Sequence, residues 1–217
     1  MADEGAQAEG ITMSGGGLYS LATLGAKDVI DGAMPLLEAA VDAIPTESFA
    51  SGFTLADMGC ADGGTSLDAI GRVIGRVRSR VPGVPVTVAS TDQPRNDFNA
   101  LMANVHGLGP FVGFLDGAVD VFPIASGTSF YRQALPSGSV HLGFSATAMH
   151  WLSGKPGDIS DHVHMVGASG AELEAFRARA HDDWRQILLC RAAELVSGGP
   201  RVRVNFCIGG DGRHRGN

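Results

Sequence analysis

Leu55-Ala-Asp57-Met-Gly59-Cys-Ala-Asp62-Gly63-Gly64-Thr-Ser66 is the stretch whose reading decides the fold. The apolar run from Phe53 to Ala56 predicts a strand that ends on the carboxylate of Asp57. Small residues and glycines then predict a tight turn, and a helical pattern starts immediately after it. In an open α/β sheet, ligands bind beyond the carboxyl ends of the strands, where glycine lets backbone come close. A carboxylate there suits a ligand bearing a positive charge or several hydroxyls. The G-x-G-x-x-G spacing of dinucleotide folds is absent, which argues against a pyrophosphate ligand. The plainer alternative is an ordinary glycine-rich turn between strand and helix.

Downstream, Leu67, Ile70, Ile74, Val77 and Val81 recur at three- and four-residue spacing and predict one apolar helix face, ended by Pro82-Gly83. A second strand is predicted from Val86 to Asp92, again finishing on an acidic residue. Asn96 is read as the N-cap of a helix presenting Phe98, Leu101, Met102 and Val105. In a parallel sheet, Asp57 and Asp92 fall on the same edge and flank one crevice. A third strand, Asp120 to Ala125, contains Pro123, which lacks a ladder donor and predicts a sheet edge. A fourth runs from Ser139 to Ser145 and leads into Ala146-Thr-Ala-Met149-His150-Trp151-Leu152-Ser153. Gly154 to Gly170 reads as a long polar connection. Leu173, Phe176, Ala180, Trp184, Ile187, Leu188 and Leu195 predict an amphipathic helix stopped at Gly198-Gly199 by a left-handed cap. A fifth strand is expected from Val202 to Ile208.

Upstream, a helix is expected through Leu36, Leu37, Val41 and Ile44, with Pro35 in its first turn. Met13-Ser-Gly15-Gly16-Gly17-Leu-Tyr19 reads either as a flexible linker or as a segment covering a ligand. Residues 1–10 read as a mobile tail, leaving 11–217 as one α/β domain.

The 217 residues are 44% hydrophobic, enough for a sizeable core, and the net charge of -7 argues against a nucleic-acid surface, which needs clustered Lys and Arg. Arg72, Arg76, Arg78 and Arg80 form one basic run, read as a solvated helix face. Cys60, Cys190 and Cys207 are scattered, which fits a reduced, cytoplasmic setting. No signal peptide and no membrane-length apolar run is expected. Cys60 has no neighbouring base and reads as a small buried residue. His162 and His164 lack metal-ligand partners at zinc spacing. Trp184 reads as helix-face core.

Taken in order, several stretches resemble the SABATH family of S-adenosylmethionine-dependent carboxyl methyltransferases, which esterify salicylate, benzoate, jasmonate, indole-acetate and related acids. They are Met13-x-Gly15-Gly16-Gly17 with Tyr19, Asp57-x-Gly59-Cys60-x-x-Gly63, Asp92-x-Pro94-x-Asn96-Asp97-Phe98-Asn99, Ser129-Phe130-Tyr131, and Phe144-Ser145 through His150-Trp151-Leu152-Ser153. The resemblance implies a class I methyltransferase fold, a Rossmann-like doubly wound sheet of strand order 3-2-1-4-5. The family's strands six and seven and its helical cap are missing from these 217 residues.

It also implies roles. Asp57, Gly59 and Asp62 would face the methionine part of S-adenosyl-L-methionine. Asp92 would accept from the ribose hydroxyls, with Gln93 against the adenine. Ser129 and Phe130 would hold and cover the adenine, Ser145 and Ala146 would line the sulfonium side, and Tyr19 and Thr23 would close over the cofactor. His150 and Trp151, with Tyr19, would position a small carboxylic acid, the indole N–H donating to its carboxylate. The residue-level alternative for His150 and Trp151 is a packed pair at a strand end. The family's carboxylate-holding Gln is replaced by Ala26, with Lys27 beside it. Family members often dimerise, so a homodimer is an expectation.

The implied reaction calls for no acid/base residue, because a carboxylate is already ionised at pH 7. Placing its oxygen in line with the methyl–sulfur bond can supply on the order of 7–11 kcal/mol of barrier lowering. The opposing expectation is a truncated cofactor-binding module with little or no catalysis, since a sheet ending at strand five leaves an exposed edge.

Overall fold

The computed structural model describes residues 18–205, 207–208 and 214–215. The tail at 1–10 and the glycine cluster at 15–17 lie outside the described residues.

Three short helices, α1 (Leu18–Ala22), α2 (Leu24–Gly32) and α3 (Met34–Ala43), precede the first strand. Strands β1 (Phe53–Met58), β2 (Val86–Thr91), β3 (Val121–Ser126), β4 (Leu142–Ala146) and β5 (Arg201–Val204) form one sheet in the order β3-β2-β1-β4-β5. All four pairings are parallel, with Asp57 opposite both Ser90 and Phe144. The expected order 3-2-1-4-5 is the observed one. β6 (Cys207–Ile208) and β7 (His214–Arg215) form a separate antiparallel pair, so the chain leaves the sheet sooner than a strand running to Ile208 requires.

Helices α4 (Leu67–Arg80), α5 (Phe98–Val105) and α6 (Gly170–Glu194) connect the strands. Alternation along the strands divides the core. Phe53, Leu55, Val86, Val88, Leu142 and Phe144 pack with α3 and the apolar face of α4 on one side. Ala56, Met58, Ala89, Phe130, Met149 and Ile187 pack on the other, under α6. Strands buried on both faces read as continuous apolar runs, which is why β1 and β2 were legible.

Pro123 sits in β3, at the sheet edge. α4 ends at Val81, held extended because Pro82 follows. The Arg run on α4 is more engaged than a solvated face: Arg72 pairs with Glu38 and Arg76 with Asp42, while Arg78 and Arg80 donate to the carbonyls of Val119 and Val41. Asp97, not Asn96, caps α5, its carboxylate accepting the N–H of Ala100 at 3.0 Å. Helix α6 ends at an extended Leu195, and Gly198, at φ 75°, turns the chain only afterwards.

Candidate functional site

The turn after β1 is fixed by the tip of β2. The N–H groups of Gly59 and Cys60 donate to the Thr91 carbonyl at 2.8 and 3.2 Å. Asp92 then accepts the N–H of Ala61 on one oxygen and its neighbour Gln93's on the other, both at 2.7 Å. Asn96 donates to the Ala61 carbonyl at 2.8 Å. Ala61 is thereby held at φ 49°, a left-handed conformation that a non-glycine residue adopts only when its surroundings over-determine it. Thr147, at φ 51°, is held likewise by donating its N–H to the Val204 carbonyl of neighbouring β5 at 2.8 Å.

The two strand-end carboxylates lie close enough for the charge of Asp92 to act on Asp57. Asp57 is buried and accepts from the Ser66 hydroxyl at 2.7 Å. Burial pushes its carboxyl up to about 6, the Ser66 bond opposing the rise and the charge of Asp92 adding to it. Burial likewise raises Asp92 against its two backbone donors. Asp62 is turned away from the crevice: it accepts the N–H and hydroxyl of Ser20 and so straps α1 to the turn. Its carbonyl takes the Asn104 amide at 2.9 Å.

A narrow cleft results between α1, the turn and the end of β4, bounded by Tyr19, Asp57, Gly59, Ser66, Ala146 and Thr147. Among the described residues no Lys, Arg or His pairs with Asp57, Asp62 or Asp92. Carboxylates that are buried, as Asp57 and Asp62 are, or half-buried, as Asp92 is, and lack a cation fit a ligand that brings its own positive charge. Burial, with the nearby carboxylates, pushes the Cys60 thiol well above its ordinary range, so this cysteine is inert.

The other expected residues take varied places. Thr23 spends its hydroxyl on the Tyr19 carbonyl at 2.7 Å, and Gln93 is exposed beside Asp92. Ser129 is half-buried and Phe130 buried. Phe130 lies 3.9 Å from where a Cβ on Gly59 would stand, so it reaches the turn from β3's end. Ser145 is wholly buried on the opposite face of β4 from Phe144 and Ala146, and its hydroxyl has no hydrogen-bond partner among the described residues. His150 and Trp151 lie in the loop after β4, their rings 5.3 Å apart. Burial lowers the His150 imidazole, keeping it neutral at pH 7, while Trp151 is 49% exposed and so not a packed core pair with it. Lys27 is taken by Asp31 and Asp68 at 2.8 and 3.0 Å and stands in for no acceptor-holding group.

Sequence reasoning left Ser20, Ser66 and Asp183 unassigned. Asp183, on α6, accepts the N–H and hydroxyl of Ser153 at 2.8 and 2.6 Å and anchors the His150–Trp151 loop. Only Ser66 carried a signal, its place in the opening stretch.

The family model for S-adenosylmethionine-dependent carboxyl methyltransferases matches residues 11–213. The chain belongs to this family. Among its relatives, the methyltransferase LUC1 of Fusarium sp is 33% identical over 88% of the chain and 50% of its own length. Indole-3-acetate O-methyltransferase 1 of Arabidopsis thaliana is 28% identical over 80% of the chain and 50% of its own length. A loganic acid methyltransferase solved with S-adenosylhomocysteine superposes with a TM-score of 0.75 at 26% identity, covering 93% of this chain and 60% of that one. The chain thus spans about half the length of the curated relatives it matches. S-adenosylmethionine is the cofactor of this family, and the cation-free carboxylates at the ends of β1 and β2 fit its ammonium and ribose. No helix among the described residues is long and apolar enough to cross a membrane.

Proposed function

We propose that this carboxyl methyltransferase chain binds S-adenosylmethionine in the cleft between α1, the β1 turn and the end of β4, and esterifies the carboxylate of a small organic acid. The observation that carries the reading is the pair of strand-end carboxylates: Asp57 lines this cleft, and Asp92 holds the Ala61 turn that bounds it. When bound, the cofactor supplies an electrophilic methyl group on a sulfonium.

The chain's own residues bind, orient and exclude water. Asp57 faces the cofactor's ammonium, whose charge draws the raised carboxyl back to its ionised form. Asp92, its two oxygens each holding one backbone N–H, keeps lone pairs for the ribose hydroxyls. Phe130 offers an apolar plate to the adenine, with Ser129 beside it and Gln93 at the open rim. Gly59, with no side chain, leaves room for close approach. Tyr19, strapped down through Ser20 and Asp62, closes the cleft with Thr23 behind it. Ala146 lines the sulfonium side. Ser145 lies behind it on the other face of β4 and supports the wall rather than touching the ligand.

Trp151 donates its indole N–H to the acceptor carboxylate, with neutral His150 and Tyr19 alongside. One or two neutral donors suit a nucleophile whose charge disappears in the transition state, because stronger pairing favours the ground state. No general base is required. Incubating the chain with methyl-labelled cofactor and a panel of aromatic and apolar acids should yield labelled methyl esters. Absence of ester with every acid, despite cofactor binding, overturns the activity.

That outcome is the second reading, a cofactor-binding module without turnover. It is favoured by the exposure of Trp151.

A further inference from the structure

The loop after β3 and the loop after β4 meet through one side chain that the reading above does not use. The Tyr131 hydroxyl donates to the main-chain carbonyl of Trp151. Burial raises the phenol well above its ordinary range, so it stays a donor at working pH. Its ring packs against Phe130 at 4.8 Å between centroids.

Helix α6 fixes the backbone on both sides of this contact. Arg191, wholly buried, donates to the carbonyls of Phe130 at 3.0 Å and Arg132 at 2.7 Å. Those are the carbonyls flanking Tyr131, whose own carbonyl accepts from the Cys190 thiol at 3.7 Å. Across the gap, the Trp151 N–H donates to Ala148 at 3.2 Å, and Ser153 is held by Asp183. With its N–H and carbonyl both engaged, Trp151 has a fixed Cα–Cβ direction, and only its side-chain torsions remain to aim the exposed indole.

Resting on the proposed cofactor site, we propose that Tyr131 is a positioning residue that couples the cofactor cleft to the acceptor side. The buried Phe130 ring and the Trp151 carbonyl are one residue and one hydrogen bond apart. Filling the cleft beside Phe130 restrains Tyr131, and Tyr131 in turn holds the peptide that aims the indole. A ligand that never touches Trp151 thereby changes its mobility, which requires only that Tyr131 engage the carbonyl more fully in the filled state.

The test uses the whole chain carrying 5-fluorotryptophan, with S-adenosylhomocysteine as the probe. Its two tryptophans, Trp151 and Trp184, give two fluorine resonances, assigned with Trp151→Phe. The expected result is that the Trp151 resonance shifts and sharpens on saturation with S-adenosylhomocysteine. Tyr131→Phe, which keeps the stack on Phe130, should bind the probe within about threefold of the parent by calorimetry yet lose most of that response. A response equal in parent and Tyr131→Phe overturns the coupling and leaves the cofactor site standing. A loss of about tenfold or more in probe affinity in Tyr131→Phe also overturns it, making the residue part of the cleft. Failure of the parent chain to bind the probe overturns the cofactor site and the coupling with it.

Discussion

A Cβ placed on Gly59 would come within 2.3 Å of the Ala148 Cβ, so the β1 turn and the loop after β4 touch at a point only glycine allows. Gly59 also has φ 77°, in the left-handed region. Gly59→Ala should therefore destabilise the chain by about 2–4 kcal/mol, combining left-handed strain with overpacking. Urea denaturation checks this. Ala148→Gly in the same background opens the contact and should recover the packing share but not the strain.

The raised carboxyl of Asp57 makes apo stability depend on pH in an unusual direction. With a folded value of about 6 and an unfolded value near 3.9, the folded state binds more protons between the two. The contribution of this carboxyl is thus largest below about pH 4, falls as pH rises toward 6 and stays reduced above it, a total on the order of 1–3 kcal/mol. Asp57→Asn should remove this slope and stabilise the apo chain at pH 7.5, since Ser66 can still donate to the amide oxygen. The same variant should lose S-adenosylhomocysteine binding, for it no longer answers the ammonium. Thermal melts from pH 4 to 8 and calorimetry at pH 7.5 read both effects.

The sequence announced the sheet because its central strands are buried on both faces, and such strands show as short apolar runs bounded by turn residues. Asp57 and Asp92 were legible for a related reason: an acidic residue ending an apolar run can only stand at the strand's tip. The roles of Asp62 and Ser145 were not, because each depends on which way a side chain turns. Asp62 faces Ser20, forty-two residues away, and Ser145 is wholly buried within β4. Asn96 and Asp97 are both good caps by residue type, and only the geometry shows that Asn96 is taken by Ala61. The placement of β6 was missed because an apolar run alone does not reveal which strand it pairs with.

Asp92 joins two functions that substitution can separate. Its oxygens satisfy the Ala61 and Gln93 N–H groups, and in the proposed site the same oxygens also take the ribose hydroxyls. Asp92→Ala should weaken S-adenosylhomocysteine binding by about 1.5–3 kcal/mol, roughly ten- to a hundredfold, and let Ala61 leave its left-handed conformation. Asp92→Asn keeps one acceptor and should fall between. Adenosine should lose affinity along with the full ligand and homocysteine should not, a contrast that competition calorimetry can read.

Arg191 and Glu194 form an ion pair with no solvent exposure, and the pair organises the loop that carries Ser129 and Phe130. Arg191 meets Glu194 at 2.7 Å through Nε and through Nη2. Glu194 in turn accepts the N–H groups of Ala134 at 2.6 Å and Leu135 at 3.1 Å. Arg191→Met leaves a buried carboxylate without its cation and should destabilise the chain by about 3–5 kcal/mol. Glu194→Gln strands the guanidinium in the same way. In the double variant both charges are gone, while the amide oxygen that replaces the Glu194 carboxylate can still take the Ala134 and Leu135 N–H groups. The double variant's loss should therefore fall short of the summed single losses by more than about 1 kcal/mol in denaturant titrations, as expected for groups that act as a unit. Strict additivity would mean that the helix holds the loop by packing alone, and that the charges at its centre do not set the position of Phe130.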